Sequence, residues 1–238
     1  MQPNYSNLCS ILGISTPLIG FYDAPDAPPF EPLVAPVPNR QACIFSFYRD
    51  WLNGKTLHIT RDNFGCGGAG RALCGVDVRS RSELVKFLVD AEGLRASHAL
   101  MEQWLDQRTT YAQEHPNLLI GPLKQELYAF LKTITFLVNP DQMSALMAGA
   151  HYNHAPGGLP AVIAPFGAGC MFLAPVFEDT GIPQAAIGGT DIAMRQYLPP
   201  DILAFTVTKP MFQQLCALDE RSFLYKPFWK RLRKAREK

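Results

Sequence analysis

The sequence lacks a charge of one sign. Its 22 basic residues face 21 acidic ones and the formal net charge is +1, which argues against a general polyanion-binding protein. No apolar run approaches the ~18 residues of a membrane-spanning helix. The N-terminal MQPNYSNLCSILGISTPL has no basic segment ahead of its short apolar run, so it does not read as a secretory signal. The expectation is a cytoplasmic protein with no membrane partner and no nucleic-acid partner. There is no C-x-x-C pair, no G-x-S-x-G, no Walker A lysine and no H-E-x-x-H. Treble-clef zinc, serine-hydrolase, P-loop and zincin chemistries therefore have no local support.

What is present is globular material. Hydrophobic residues make up 47% and charged residues 18% of 238 residues, enough to bury one large core. The chain reads as a single domain over 1–238. The proline-dense stretch 23–39 reads as an extended connection on its surface, because proline fixes φ and donates no ladder hydrogen bond. The six cysteines are Cys9, Cys43, Cys66, Cys74, Cys170 and Cys216. In an unsignalled chain of this size they are expected as reduced thiols rather than as a disulfide framework.

Periodicity and caps place the elements. Short helices are expected over 4–13 and 40–53, and strands over 17–23 and 55–60. Ser80 and Glu83 form a capping box ahead of Leu84, Val85, Leu88 and Val89. A helical stripe over 98–114 runs through Met101, Trp104, Leu105, Arg108, Tyr111 and Ala112. Residues 128–138 read as a strand. Asn139-Pro140 then opens a helix with Met143, Leu146, Met147 and Ala150 on one face. Strands over 161–166 and 202–208 and a helix from Pro210 complete the pattern. This is an α/β or α+β protein, a mixed sheet with helices packed on it. No repeat of fixed period is visible, which leaves open two similar halves sharing one core.

The end of the chain differs. Seven basic residues and one acid lie in 226–238, so the rest of the chain carries more acids than bases. A basic C-terminal helix is expected within 222–238. Phe228, Trp229 and Leu232 would dock one face, with Lys230, Arg233 and Lys234 outward. A solvated last helix is favoured over an interaction patch.

Two features carry candidate chemistry. The segment F64-G-C-G-G-A-G-R-A-L-C-G75 contains G-x-G-x-x-G at Gly65, Gly67 and Gly70, with Gly68 and Arg71 inside it. A dinucleotide fold would place such a motif directly after its first strand, with an acid at the end of the next one. That context is missing here. The second feature is the cysteines themselves. Cys66 and Cys74 lie in that glycine loop, Cys170 lies in F166-G-A-G-C-M beside Gly167 and Gly169, and Cys43 opens a helix whose dipole would lower its pKa. Converged, Cys43, Cys66, Cys74 and Cys170 would suit an iron–sulfur cluster or a zinc ion. Packing as small hydrophobes is the plainer alternative, and it is the one expected for Cys9 and Cys216. His151 and His154 are expected as capping residues rather than ligands. Gly188, Gly189, Thr190 and Asp191, with Arg195, either bind an anion or form a plain left-handed turn and N-cap.

The order of landmarks carries a resemblance. A P-L-I-G-F-Y strand is followed by Q41-A-C43, L-x-I-T-R-D-N-F-G-C66-G-G, N139-P-D-Q142, F-G-A-G-C170 and I-G-G-T-D with Arg195. This resembles the uncharacterised prokaryotic family called domain of unknown function 169. The resemblance implies cysteines at Cys43, Cys66 and Cys170, with a further cysteine in many members where this chain has Gly188 to Asp191. That cysteine is missing here, which leaves three thiolates or four with Cys74.

The expected role is a cysteine-lined site that holds an iron–sulfur cluster or metal in a redox-linked setting. The alternative is a small-molecule or anion-binding module built on the glycine turns, without catalysis. A cysteine nucleophile is a third reading, so whether the chain is an enzyme stays open.

Overall fold

A computed structural model describes residues 3–26, 33–37, 43–60, 62–64, 66, 80–107, 111, 113–155, 157–164 and 182–236. Among these residues eight strands form one mixed sheet: β1 (Ile19–Ala24), β2 (Leu33–Val34), β3 (Thr56–Ile59), β4 (Asn117–Pro122), β5 (Leu131–Val138), β6 (Val162–Ile163), β7 (Ala185–Gly188) and β8 (Leu203–Thr208). Seven α-helices accompany them: α1 (Ser6–Leu12), α2 (Tyr48–Leu52), α3 (Arg81–Lys86), α4 (His98–Asp106), α5 (Pro140–His151), α6 (Lys209–Cys216) and α7 (Pro227–Arg236). The α/β class expected from the sequence is the one observed.

The strand order is β2-β3-β4-β1-β5-β8-β7-β6. Only the outer pairs, β2 with β3 and β6 with β7, are parallel. The order is a palindrome about the β1–β5 junction, and the registers obey it. Gly20 faces Ile134 at the centre, with Ile19 opposite Thr135 and Phe21 opposite Thr133. Phe21 pairs with Ile120 as Thr135 pairs with Thr206. Leu57 pairs with Ile120 as Ala186 pairs with Thr206. Leu33 pairs with Thr56 as Val162 pairs with Ala185. The sheet is therefore two similar halves related by a pseudo-two-fold axis. The sequence offset differs from strand to strand, because the helical insertions between strands differ, and so no fixed period appears.

Alternation along the strands feeds two cores. One face carries Tyr22, Ile134, Phe136, Val138, Phe205 and Val207 beneath α1, α5, α6 and α7. The other carries Ile19, Phe21, Leu57, Ile59, Leu118 and Ile120 beneath Ile44, Phe45, Trp51, Met194 and Leu198. On this second face Thr135 and Thr206 are buried and share a hydroxyl hydrogen bond of 2.8 Å.

Local chemistry sets the helix starts. Ser80–Glu83 and Asn139–Gln142 both close reciprocal capping boxes. Met143, Leu146 and Ala150 are buried on the inner face of α5. Several boundaries differ from the sequence reading. The helix expected over 40–53 is a 3-10 turn, Ile44–Phe47, continued by α2. α4 ends at Asp106, and Tyr111 instead reaches back to β1, where its hydroxyl donates to Asp23. β5 begins only at Leu131, because Gln125–Phe130 coils as a 3-10 turn. β2, β4 and β7 had no counterpart in the sequence reading: β2 is a two-residue strand inside the stretch 23–39 read as a surface connection, and β4 and β7 do not alternate cleanly.

The C-terminal helix also needs correcting. Trp229 is buried and its indole N–H donates to the Ile11 carbonyl at 3.0 Å. Arg233 does not face solvent freely, since Nη1 donates to the carbonyls of Ser10 and Ile11 at 3.3 and 2.7 Å. It thereby closes the end of α1, which stops at Gly13 with φ 67°. Phe228 does not dock and is 78% exposed. A hundred-degree turn per residue puts Trp229, Leu232, Arg233 and Arg236 inward and Phe228 outward.

Candidate functional site

The second face of the sheet holds the candidate site. Cys43 precedes the Ile44–Phe47 turn in an extended conformation, φ −74° and ψ 135°. Ser46 N–H donates to the Cys43 carbonyl at 3.0 Å, and the backbone amides of Phe45 and Ser46 lie close enough to the sulfur to lower its pKa. Cys66, shortly after β3, lies near enough to interact with it electrostatically, as does Asp191. Both cysteines are half-buried and pack against the core of Phe45, Trp51, Phe64, Met194 and Leu198. Residues far apart in sequence therefore come within electrostatic reach of Cys43: Cys66 from after β3 and Asp191 from after β7.

Burial pushes the Cys43 thiol up to about 11, and nearby Cys66 and Asp191 push the same way. The amides of Phe45 and Ser46 pull it down but do not prevail. The dipole-lowered pKa expected at a helix start is thus not found. Four residues of 3-10 turn carry little dipole, and taking a thiolate out of water outweighs two amides.

Asp191 caps the 3-10 turn Ile192–Tyr197, accepting from Ala193 N–H at 3.0 Å. Gly188 and Gly189 are buried, Gly189 with φ 73°, and Thr190 is exposed. The left-handed turn and N-cap expected for this segment are present. Arg195 Nη1 donates to the carbonyls of Gly189 and Ile202, and Nη2 to those of Pro199 and Pro200. It fastens the Gly189–Ile202 loop from inside.

The pseudo-two-fold axis relates the parts of this site. Ile59 and Gly188 are matched by register, so Asp62 and Asp191, each three residues on, are counterparts. In sequence, Cys43-Ile-Phe lies in the β2–β3 crossover and Cys170-Met-Phe in the β6–β7 crossover. Cys74, Cys170, Gly65, Gly67, Gly68, Gly70, Arg71, Gly167 and Gly169 lie outside the described residues. Among the described residues no three His, Cys, Asp or Glu side chains stand together as a metal-holding group.

Cys9 and Cys216 belong to the other face, where they pack half-buried against the first core. Burial raises their thiols to about 11 and about 12, and Cys9 adds to the rise at Cys216. His151 bonds the Met147 carbonyl through Nδ1 and meets His154 edge-on at 6.0 Å, which fits the capping reading.

One feature left little signal in the sequence. A cavity of about 530 Å³ opens between the Thr60–Asp62 turn and residues 113–117, lined by Thr60, Asp62, Gln113, Glu114, His115, Pro116 and Asn117. Asn63 shapes the turn by accepting from Thr60 N–H and donating to the His58 carbonyl. His58 is half-buried and its Nε2 lies 2.8 Å from Asn117 Oδ1. Behind the cavity wall is Asp23, 1% exposed, which accepts from Tyr111 O–H and from the N–H groups of Glu114 and His115. The only trace of it in the sequence is an acid ending the apolar strand PLIGFYD.

The fold and site together define a class: an α/β protein with a pseudo-symmetric mixed sheet, Cys43 and Cys66 packed on one face and Cys9 and Cys216 on the other. The chain belongs to the domain of unknown function 169 family, described as uncharacterised ArCR, whose model matches residues 7–217. No curated protein and no solved structure matches it. Among the described residues no helix is long and apolar enough to cross a membrane.

Proposed function

We propose that the chain is a metal- or cluster-binding protein whose centre lies over the second face of the sheet, with Cys43 and Cys66 as thiolate ligands. The observation that carries this reading is that Cys43 and Cys66, from separate segments, are half-buried against the same core and near enough to interact electrostatically. A protonated thiol at neutral pH is a poor nucleophile, which weighs against the cysteine-enzyme reading for Cys43. A metal displaces that proton, and the amides then stabilise sulfur charge. Thiol donors suit iron–sulfur clusters and zinc. Cys74 and Cys170, which lie outside the described residues, are the further ligands proposed from the sequence. The redox-linked role follows if the centre is an iron–sulfur cluster.

Anaerobic purification with iron, sulfide and zinc analysis and an absorbance spectrum tests this. Bound metal should fall in Cys43→Ser and Cys66→Ser and stay unchanged in Cys9→Ser and Cys216→Ser. A folded, metal-free protein that resists reconstitution removes the reading.

The polar cavity supports a second reading, a small-molecule-binding module without catalysis. Its walls offer carboxylates, amides and a hydroxyl in place of the glycine turns expected from the sequence. A ligand of this site raises Tm by mass action, and Asp62→Ala should abolish that rise.

A further inference from the structure

The outward face of α7 is unmatched in charge. Trp229, Leu232, Arg233 and Arg236 hold the helix to the body: Trp229 and Arg233 bond α1, and Arg236 bonds Asp141 of α5. That leaves Lys226, Lys230, Arg231 and Lys234 exposed along about 12 Å of helix axis. None of the four has an ion-pair partner among the described residues. Phe228 projects from the same face, and the Arg231 guanidinium lies 4.6 Å from its ring centre. The family match ends at residue 217, so this helix lies beyond it.

We propose that α7 is a docking face for an anionic lipid surface. A ring standing in solvent loses apolar exposure when it enters the headgroup region, and cations beside it remain with lipid phosphates. Each such cation is worth about fivefold in partitioning. The shape favours a bilayer over nucleic acid. The helix is fastened along its inner side and offers only a convex face, so it cannot sit deep in a major groove roughly 12 Å wide. Single-strand binders use grooves with successive stacking rings, whereas here there is one ring, with a guanidinium beside it. The acid excess over the rest of the chain confines contact with an anionic surface to this helix.

Co-sedimentation of the full chain with phosphatidylcholine vesicles, with and without phosphatidylglycerol, is the test. Binding is expected only with phosphatidylglycerol and should fade as salt rises. The K230E/R231E variant should bind more than about tenfold more weakly, since each reversal loses an attraction and adds a repulsion. Phe228→Ala should bind about threefold or more weakly. These side chains are exposed, so Tm should hold within a degree or two of the parent. Absence of sedimentation at low salt overturns the proposal, as does binding that the variants leave unchanged. Retention of a labelled oligonucleotide through α7 without vesicle binding also overturns it and assigns the face to nucleic acid.

Discussion

Asp23 offers the sharpest test of how the cavity wall is held. Its carboxylate is 1% exposed and accepts three hydrogen bonds, from Tyr111 O–H, Glu114 N–H at 2.7 Å and His115 N–H at 2.8 Å. These bonds tie residues 111–115 to the end of β1, from which the chain enters β4. Asp23→Ala leaves all three donors facing a void, at about 1–3 kcal/mol for each orphaned group. The phenol can turn toward water and the carboxylate's own desolvation is relieved, so a net loss of about 3–4 kcal/mol is expected. Tyr111→Phe removes one donor and should lose about 1–2 kcal/mol. Combined with Asp23→Ala it should add little, because both changes break the same bond. Urea unfolding followed by circular dichroism reads these losses directly against a total of about 5–15 kcal/mol. A loss below about 1 kcal/mol for Asp23→Ala, with the slope unchanged, refutes the reasoning.

Three further outcomes follow from the packing and the titrating groups. Gly121→Ala should destabilise by about 1–3 kcal/mol, since its Cβ would stand 2.7 Å from the Thr56 backbone Cα across the β3–β4 pair; thermal unfolding checks it. Arg233→Ala should lose about 1–3 kcal/mol by freeing two carbonyls at the end of α1, with amide exchange rising in residues 6–13. Stability should fall as pH rises above 9. Unfolded thiols release protons near the ordinary 9.0 while Cys9 and Cys216 hold theirs to about 11 and about 12, so the unfolded chain binds fewer protons in that window. The Cys9→Ala/Cys216→Ala double variant should flatten this slope in a pH series of unfolding midpoints.

Local signals in the sequence determined much of this protein. The capping boxes at Ser80 and Asn139, the proline start of α5 and the apolar stretches of β1, β5 and β8 act through neighbours a few residues away. Such interactions do not wait for the rest of the chain. The placing of Cys9 and Cys216 in apolar packing was legible for the same reason, because helical spacing alone puts them beside buried leucines. The family landmarks likewise stand in the linear order of residues.

Tertiary structure alone decided the rest. The pseudo-two-fold sheet depends on which strands pair and in what register, and unequal insertions hide that match from any fixed-period comparison. The proximity of Cys43 and Cys66 depends on both packing over the same face of the sheet. The raised thiol of Cys43 depends on how much water the assembled core removes, which outweighs the amides that local structure supplies. Asp23 gains its donors from a segment some ninety residues away, and Arg195 spends its guanidinium on a loop that exists only once β7 and β8 are paired. Long-range contacts set burial, and burial sets what a titratable or donor group does.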